Sequence, residues 1–304
     1  MGLFGGYRNP GAGIDPHAPK KPPFIRFWSI LWHNIGKLFS LNLLFAAMHI
    51  PLGFAAYAYF GTNNPLSIPM TLLMLAVQIV ISGPTLSGCT YVMRKIVLDK
   101  PCSILADFKT GFTKNFGASF VYFLIDLVVV GLFICNWILC PQIAVVKNTK
   151  LIYASLIAAS CAVLILLFMN FFIFPMQVTT GLSKRNILKN ALQLSCLAPK
   201  QCVLTTLCGF ATLAACAFII KAVPNFLIIC LVFPVAFLCY LVMFINYPVI
   251  QKYVINPYYE QNGERNPEDD STPLPEDERV FTDHSSTETS APAKEKTHHK
   301  RTIS

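Results

Sequence analysis

The chain is poor in acidic residues over most of its length. Before residue 256 it has only four, Asp15, Asp99, Asp107 and Asp126, against 18 lysines and arginines, and the other 11 acids lie in residues 256–304. Charged residues make up 13% of the chain, whereas soluble domains carry about 25%. Residues 24–255 therefore have too little charge for an ordinary water-exposed surface, which points to a protein embedded in lipid.

Sequence motifs that would identify an enzyme are also lacking. There is no P-loop, no H-E-x-x-H zinc motif, no G-x-S-x-G nucleophile motif and no Gly-rich nucleotide loop. None of the eleven cysteines forms a C-x-x-C pair, and no histidine lies at metal-ligand spacing from a cysteine pair. We expect a protein that is not an enzyme, with no catalytic residues, no metal and no cofactor.

Long apolar runs dominate the rest of the chain. A bilayer core of about 30 Å is crossed by a helix of about 20 apolar residues. The sequence therefore predicts an all-α membrane bundle of six transmembrane helices. The predicted spans are approximately residues 36–60, 68–92, 117–140, 151–174, 202–220 and 226–247. Pro175 is expected to end the fourth span, and Asn256-Pro257 to end the last helix.

The two ends of the chain differ from this membrane domain, 24–255. Residues 1–23 are rich in glycine and proline, and residues 256–304 are rich in acids, serine, threonine and proline. Neither can bury enough apolar surface to fold, so both are predicted to be disordered.

Lysine and arginine are distributed unequally between the two sides of the predicted bundle. Of the 18 lysines and arginines before residue 256, fifteen lie on the same side of the predicted bundle as the two termini. The other three, Lys147, Lys150 and Lys221, lie on the opposite side. The positive-inside rule then predicts a multi-pass protein of the cell membrane with both termini in the cytoplasm. Because the basic residues lie in short loops between spans, we expect a lipid bilayer as partner and no nucleic acid.

Three amphipathic segments precede the three predicted hairpins of spans, at residues 24–35, 104–116 and 183–198. Their apolar stripes and basic faces are typical of helices that lie in the lipid interface. One interpretation is a threefold repeat of interfacial helix and hairpin. The other is that any hairpin with short basic loops has this pattern.

The second span contains a run of small residues. Gly83 is followed four residues later by Ser87, and Pro84 is followed four residues later by Gly88. This is the small-xxx-small spacing that lets another helix approach closely. Pro84 is also expected to kink this helix.

Three polar residues fall near the middle of predicted spans: His49, Gln78 and Asp126. Polar groups at this depth are costly and are functional candidates. We expect Asp126 to pair with His49 or Gln78. The pair would form a proton relay or substrate site, or, as we favour, a contact between helices worth about 0.6 kcal/mol. Asn42, Asn136 and Asn170 are expected to be helix-contact residues.

Several short motifs in residues 37–120 resemble the YesL family of bacterial membrane proteins. They are Leu41-Asn42-Leu43-Leu44, Gly83-Pro84-Thr85, Tyr91-Val92-Met93-Arg94-Lys95 and the aromatic run from Asp107-Phe108 to Lys114-Asn115-Phe116. Weaker matches follow at Phe174-Pro175 and Lys189-Asn190-Ala191-Leu192, whereas the acidic tail lies outside the resemblance.

The resemblance implies no catalytic residues, because the YesL family has no assigned activity. Its members are often encoded near carbohydrate-uptake systems. This implies an accessory role in the assembly or regulation of a transporter, with transporter subunits as partners. The alternative is a small-solute transporter or channel with its polar site at His49, Gln78 and Asp126.

Overall fold

The computed structural model describes residues 22–61, 67–144, 149–222, 234–263 and 266, and these ranges are helical with no strand, which confirms the predicted all-α class. The helices are α1 (Pro23–His33), α2 (Ile35–Met48), α3 (Ile50–Gly61), α4 (Ser67–Val97), α5 (Ile104–Lys114), α6 (Phe116–Ala144), α7 (Thr149–Thr179), α8 (Lys184–Leu197), α9 (Pro199–Ala222), α10 (Pro234–Ile250) and α11 (Asn256–Gln261). A π-helical turn, Gln251–Ile255, joins α10 to α11.

Five helical segments are long and apolar enough to cross a bilayer: α4, α6, α7, α9 and the stretch Pro234–Gln261. A sixth span exists if α2 and α3 are counted together, but these two helices are bent by 47°. The first predicted span is therefore broken at His49. Pro51 accounts for the break, because it has no N–H to donate to the carbonyl group one turn earlier.

Two predicted helix ends are wrong. Pro175 lies inside α7, which continues to Thr179. A membrane helix tolerates such a proline when neighbouring groups satisfy the freed carbonyl. Asn256-Pro257 begins α11 instead of ending a helix, because proline in the first helical turn removes no needed donor.

The predicted disordered tail accordingly starts too early, since residues 256–261 are helical. The rest of that tail from residue 267, and the predicted disordered residues 1–21, lie outside the described residues. So do residues 226–233 of the predicted sixth span.

Three helices, α4, α7 and α10, occupy the centre of the bundle, where each packs against the other two. Each is the returning helix of a predicted hairpin and contains an internal proline: Pro84, Pro175 or Pro248. Outside this centre, α3 packs on α4, α6 on α4 and α7, and α9 on α10. The three returning helices therefore share a central position and an internal proline.

The small residues of α4 lie where two other helices approach most closely. A side chain at Gly83 would overlap the carbonyl group of Ser119 on α6, and one at Gly88 would come within 2.9 Å of the Phe108 ring on α5. The Ser87 hydroxyl donates a hydrogen bond of 3.3 Å to the carbonyl oxygen of Gly111 on α5. Pro84 does not end α4, which runs through it as one helix.

The three amphipathic segments form α1, α5 and α8, and they differ in how far the bundle covers them. Helix α5 buries Phe108, and α8 buries Ile187, Ala191 and Leu194. Helix α1 buries only Ile30 and Leu31, and leaves Trp32 72% exposed. Among these three helices, α1 thus presents the largest aromatic surface to the surroundings.

Candidate functional site

The structure does not join His49, Gln78 and Asp126 into one site. His49 Nδ1–H donates to the carbonyl oxygen of Phe45 at 2.9 Å, and its ring stacks on the Phe45 ring. Gln78 Nε2 donates to the hydroxyl oxygen of Ser82, one turn further along α4, at 2.9 Å. Both bonds are local, so neither residue connects two membrane helices through them.

Asp126 pairs with Asn170, so the predicted pair with His49 or Gln78 is wrong. Asn170 Nδ2 on α7 donates to Asp126 Oδ1 on α6 at 3.0 Å. Adjacent helices of one hairpin bring the two side chains to the same depth. The pair links α6 to α7.

Asparagine supplies three further contacts between membrane helices. Asn42 Oδ1 on α2 accepts from the backbone amide of Ala236, in the first turn of α10, at 2.7 Å. Asn136 Nδ2 on α6 donates to the carbonyl oxygen of Ser155 on α7 at 3.1 Å. Asn246 Nδ2 on α10 donates to the Thr205 hydroxyl on α9 at 3.0 Å. The expectation that Asn42, Asn136 and Asn170 contact other helices is confirmed.

A cavity lies at the end of the bundle where α4 and α7 finish and α6 and α8 begin. We call this the basic end. One lobe, of about 440 Å³, lies between these four helices. A second lobe, of about 400 Å³, shares Arg94 and Thr179–Leu182 with the first and extends to Tyr258 and Tyr259 of α11. The cavity thus sits over the ends of the central helices.

Cationic side chains reach this cavity from three different helices: Arg94 from α4, Lys114 from α5 and Lys184 from α8. No Asp or Glu occurs among the described residues that line either lobe. The cavity is therefore a positively charged space.

Hydrogen bonds connect the helices that form the wall of the cavity. Gln177 Nε2 on α7 donates to the Ser119 hydroxyl at 2.7 Å and to the carbonyl oxygen of Asn115 at 3.1 Å. Arg94 Nη1 donates to the Val178 carbonyl oxygen, in the last turn of α7, at 3.4 Å. These bonds fix α7 against α4 and α6 around the cavity.

An ion pair docks α5 onto α4 at the same end of the bundle. Lys95 Nζ lies 2.6 Å from Asp107 Oδ1. Burial acts to raise the pKa of Asp107, but hydrogen bonds from Lys95 and the Ser103 amide outweigh it, so the pKa lies below its ordinary value. The neighbouring Cys102 thiol has its pKa raised to about 11 by burial and by Asp107, so it remains protonated at neutral pH.

Sequence reasoning missed the cavity. In the sequence, Arg94, Lys114 and Lys184 count as charges that indicate membrane topology, and Arg94 and Lys114 also belong to the YesL-like motifs, but neither observation places the three side chains together. Nothing in their spacing indicates convergence, because they lie on three helices up to 90 residues apart. The one available signal was that each lies where a helix meets a basic loop.

Comparison with known proteins gives one match. Residues 38–137 match the model of a family described as "Protein of unknown function, DUF624". The matched region runs from α2 into α6 and includes the small residues of α4 and all of α5. No curated protein and no solved structure matches the chain.

Proposed function

We infer that this chain is a YesL-type protein of the cell membrane that helps to assemble or regulate a carbohydrate-uptake transporter, without catalysing a reaction. Five or six helices suited to crossing a bilayer and the match to DUF624 over residues 38–137 support the general class. The resemblance of the sequence to the YesL family suggests the accessory role. Transporter subunits and the bilayer are the proposed partners.

The observation that carries the proposal is the separation of the polar residues within the membrane. His49, Gln78 and Asp126 take hydrogen-bond partners at Phe45, Ser82 and Asn170 respectively. A solute pathway would need polar groups that face one another along a shared space. Side chains used in separate contacts favour a packed scaffold over the alternative of a small-solute transporter or channel.

The exposed aromatic side of α1 is the proposed contact with the transporter. A photo-crosslinking amino acid placed at Trp32 should capture a permease or ATPase subunit in the native membrane. The matched control is Phe210 on α9, which is exposed to the same degree, at 73% against 72%, but lies within a membrane-crossing helix. Mass spectrometry of the crosslinked products identifies the partner.

Crosslinks from Trp32 to lipid or to a second copy of this chain alone would refute the accessory role. The alternative has its own test in proteoliposomes. Solute flux that is lost in both Asp126→Asn and His49→Gln, with folding retained, would favour a transporter.

A further inference from the structure

The cavity at the basic end has the properties of a binding site for an anion. Arg94, Lys114 and Lys184 converge on it from separate helices, and its described lining has no carboxylate. A cavity with charge of one sign and low-dielectric walls concentrates ligands of the opposite sign. Its larger lobe, about 440 Å³, lies within the range of about 300–1,000 Å³ that is usual for small-molecule sites.

Helix ends of both signs reach the larger lobe. Helix α6 begins at Phe116 and α8 begins at Lys184, and residues of both first turns line the lobe. The amino end of a helix carries a partial positive charge and N–H groups without partners in the helix. The carboxyl ends of α4, α5 and α7, which carry a partial negative charge, also reach the lobe, and at α7 Arg94 donates to the Val178 carbonyl oxygen. The positive charge of the lobe therefore rests on its three cationic side chains.

Gln177 indicates that the anion also carries a hydrogen-bond donor. Gln177 is one of the residues that line the cavity, and it is only 6% exposed. Its Nε2 must face the Asn115 carbonyl oxygen, because that oxygen can only accept, and this fixes the orientation of the amide. Within the described residues, Gln177 Oε1 is buried and has no hydrogen-bond partner. A donor at this wall would satisfy an acceptor that is otherwise costly to bury.

We propose that this cavity binds a phosphate ester that carries a free hydroxyl group, with glycerol phosphate as the representative chemistry. Arg94, Lys114 and Lys184 hold the phosphate, and the hydroxyl donates toward Gln177. The same group occurs in soluble glycerol 3-phosphate and in the headgroup of phosphatidylglycerol. The inference does not depend on the proposed accessory role.

The test measures binding to the full-length protein purified in mild detergent. Isothermal titration with glycerol 3-phosphate should give saturable binding, and propyl phosphate should bind more weakly because it is a phosphate ester of the same chain length without the hydroxyl groups. Native mass spectrometry with phosphatidylglycerol and, separately, phosphatidylcholine distinguishes the lipid source. Retention of phosphatidylglycerol without binding of the soluble ester would assign the site to the lipid headgroup.

The variant pair Lys114→Gln/Lys184→Gln removes two cations while leaving Arg94, which also contacts α7, in place. The dissociation constant should rise about thirtyfold, as expected for the loss of two lysines that each contribute about 1 kcal/mol near an anionic group. The control is Lys109→Gln/Lys189→Gln, which removes two exposed lysines from the same helices, α5 and α8, outside the lining. This control should bind as the unmodified protein does.

Three results would overturn the proposal. The first is that neither the soluble ester nor the lipid binds. The second is an equal loss of binding in both lysine pairs, which would reveal attraction to overall charge only. The third is equal affinity for propyl phosphate and glycerol 3-phosphate, which would remove the role of the hydroxyl group and Gln177.

Discussion

Individual residues in this bundle act mainly by allowing or fixing contacts between helices. Glycine on α4 allows α5 and α6 to approach closely, whereas asparagine on four helices provides hydrogen bonds that link neighbouring helices. Both devices are typical of membrane proteins, since lipid tails are as apolar as the helices and provide little drive for helices to associate. Packing and hydrogen bonds must then supply the specificity.

Gly83 is the position at which added volume should be tolerated least. We predict that Gly83→Ala destabilises the protein by about 1–3 kcal/mol, the usual cost of overpacking, because the methyl group would overlap the Ser119 carbonyl group. Gly131→Ala on α6 is the control, since a methyl group there meets nothing within 4 Å. Unfolding in mixed micelles measures both, and equal stability of the two variants would contradict the prediction.

The effects of mutating Asp126 and Asn170 on stability should not be additive, because the two side chains share a hydrogen bond. A double-mutant cycle with Asp126→Ala and Asn170→Ala should give a coupling free energy of about 0.6 kcal/mol, and no more than about 1.7 kcal/mol, as measured for hydrogen bonds in membranes. The control cycle combines Asp126→Ala with Asn42→Ala, whose partner is Ala236 on α10. That cycle should be additive, and coupling of equal size in both cycles would refute a direct contact.

Among the elements, α5 shows how a short amphipathic helix is attached to a membrane domain. It buries Phe108 against Gly88 of α4, and the ion pair Lys95–Asp107 and the hydrogen bond from Ser87 to Gly111 lie at the same interface. Sequence periodicity indicated a helix lying in the lipid interface. The structure shows that Phe108 on the apolar face packs against α4, whereas Leu105 on the same face is 69% exposed.

The attachment of α5 should weaken in acid. Because the pKa of Asp107 is lowered in the folded protein, its stabilising contribution is present above the unfolded pKa and is lost as the pH falls through the folded value. The difference in stability between the unmodified protein and Asp107→Asn should be full above about pH 5, where an ordinary aspartate is ionised, and should shrink steadily as the pH falls below the ordinary pKa of aspartate, about 3.9. Thermal unfolding across this range measures it.

Asp99→Asn is the control for this experiment, because it removes an exposed loop carboxylate near the same helix. It should change the melting temperature less than Asp107→Asn does at neutral pH. A constant difference between the unmodified protein and Asp107→Asn at every pH would mean that the ion pair does not hold α5.

For the whole molecule, the bundle is organised around one end. The three central helices finish or turn there, the short helices α5 and α8 pack there, and the cavity opens among them. The cationic residues that the sequence assigns to the cytoplasmic side include those that line this cavity. The charge asymmetry therefore predicts both the membrane orientation and the compartment that the cavity faces.

Reporter fusions test this orientation. Green fluorescent protein fused after Ser304 should fluoresce, and alkaline phosphatase fused after Gly61 should be active, because the termini are predicted to be cytoplasmic and the loop after α3 to lie outside. Exchanging the two reporters provides the control, since each should then be inactive. Active phosphatase at Ser304 would reverse the predicted topology.

The sequence by itself determined the features that depend on local composition and period. The apolar runs, the interfacial stripes, the unequal distribution of lysine and arginine and the small-residue spacing at Gly83 and Gly88 are all read over one or two dozen residues. They were sufficient for the helical class and the order of its elements. They were not sufficient to predict where helices end at proline residues, because the contacts with neighbouring helices decide whether a helix continues through a residue such as Pro175.

Only the tertiary structure decided which distant residues meet. Asn42 accepts a hydrogen bond from the backbone amide of Ala236 on α10, 194 residues away. Asp126 is paired with Asn170. Arg94, Lys114 and Lys184, which are far apart in the sequence, line one cavity. Each of these depends on the rotation and depth of whole helices, which are set by packing at contacts such as Gly83 with Ser119. A sequence pattern specifies which face of a helix is apolar, but the fit of that face against others specifies which polar groups come together.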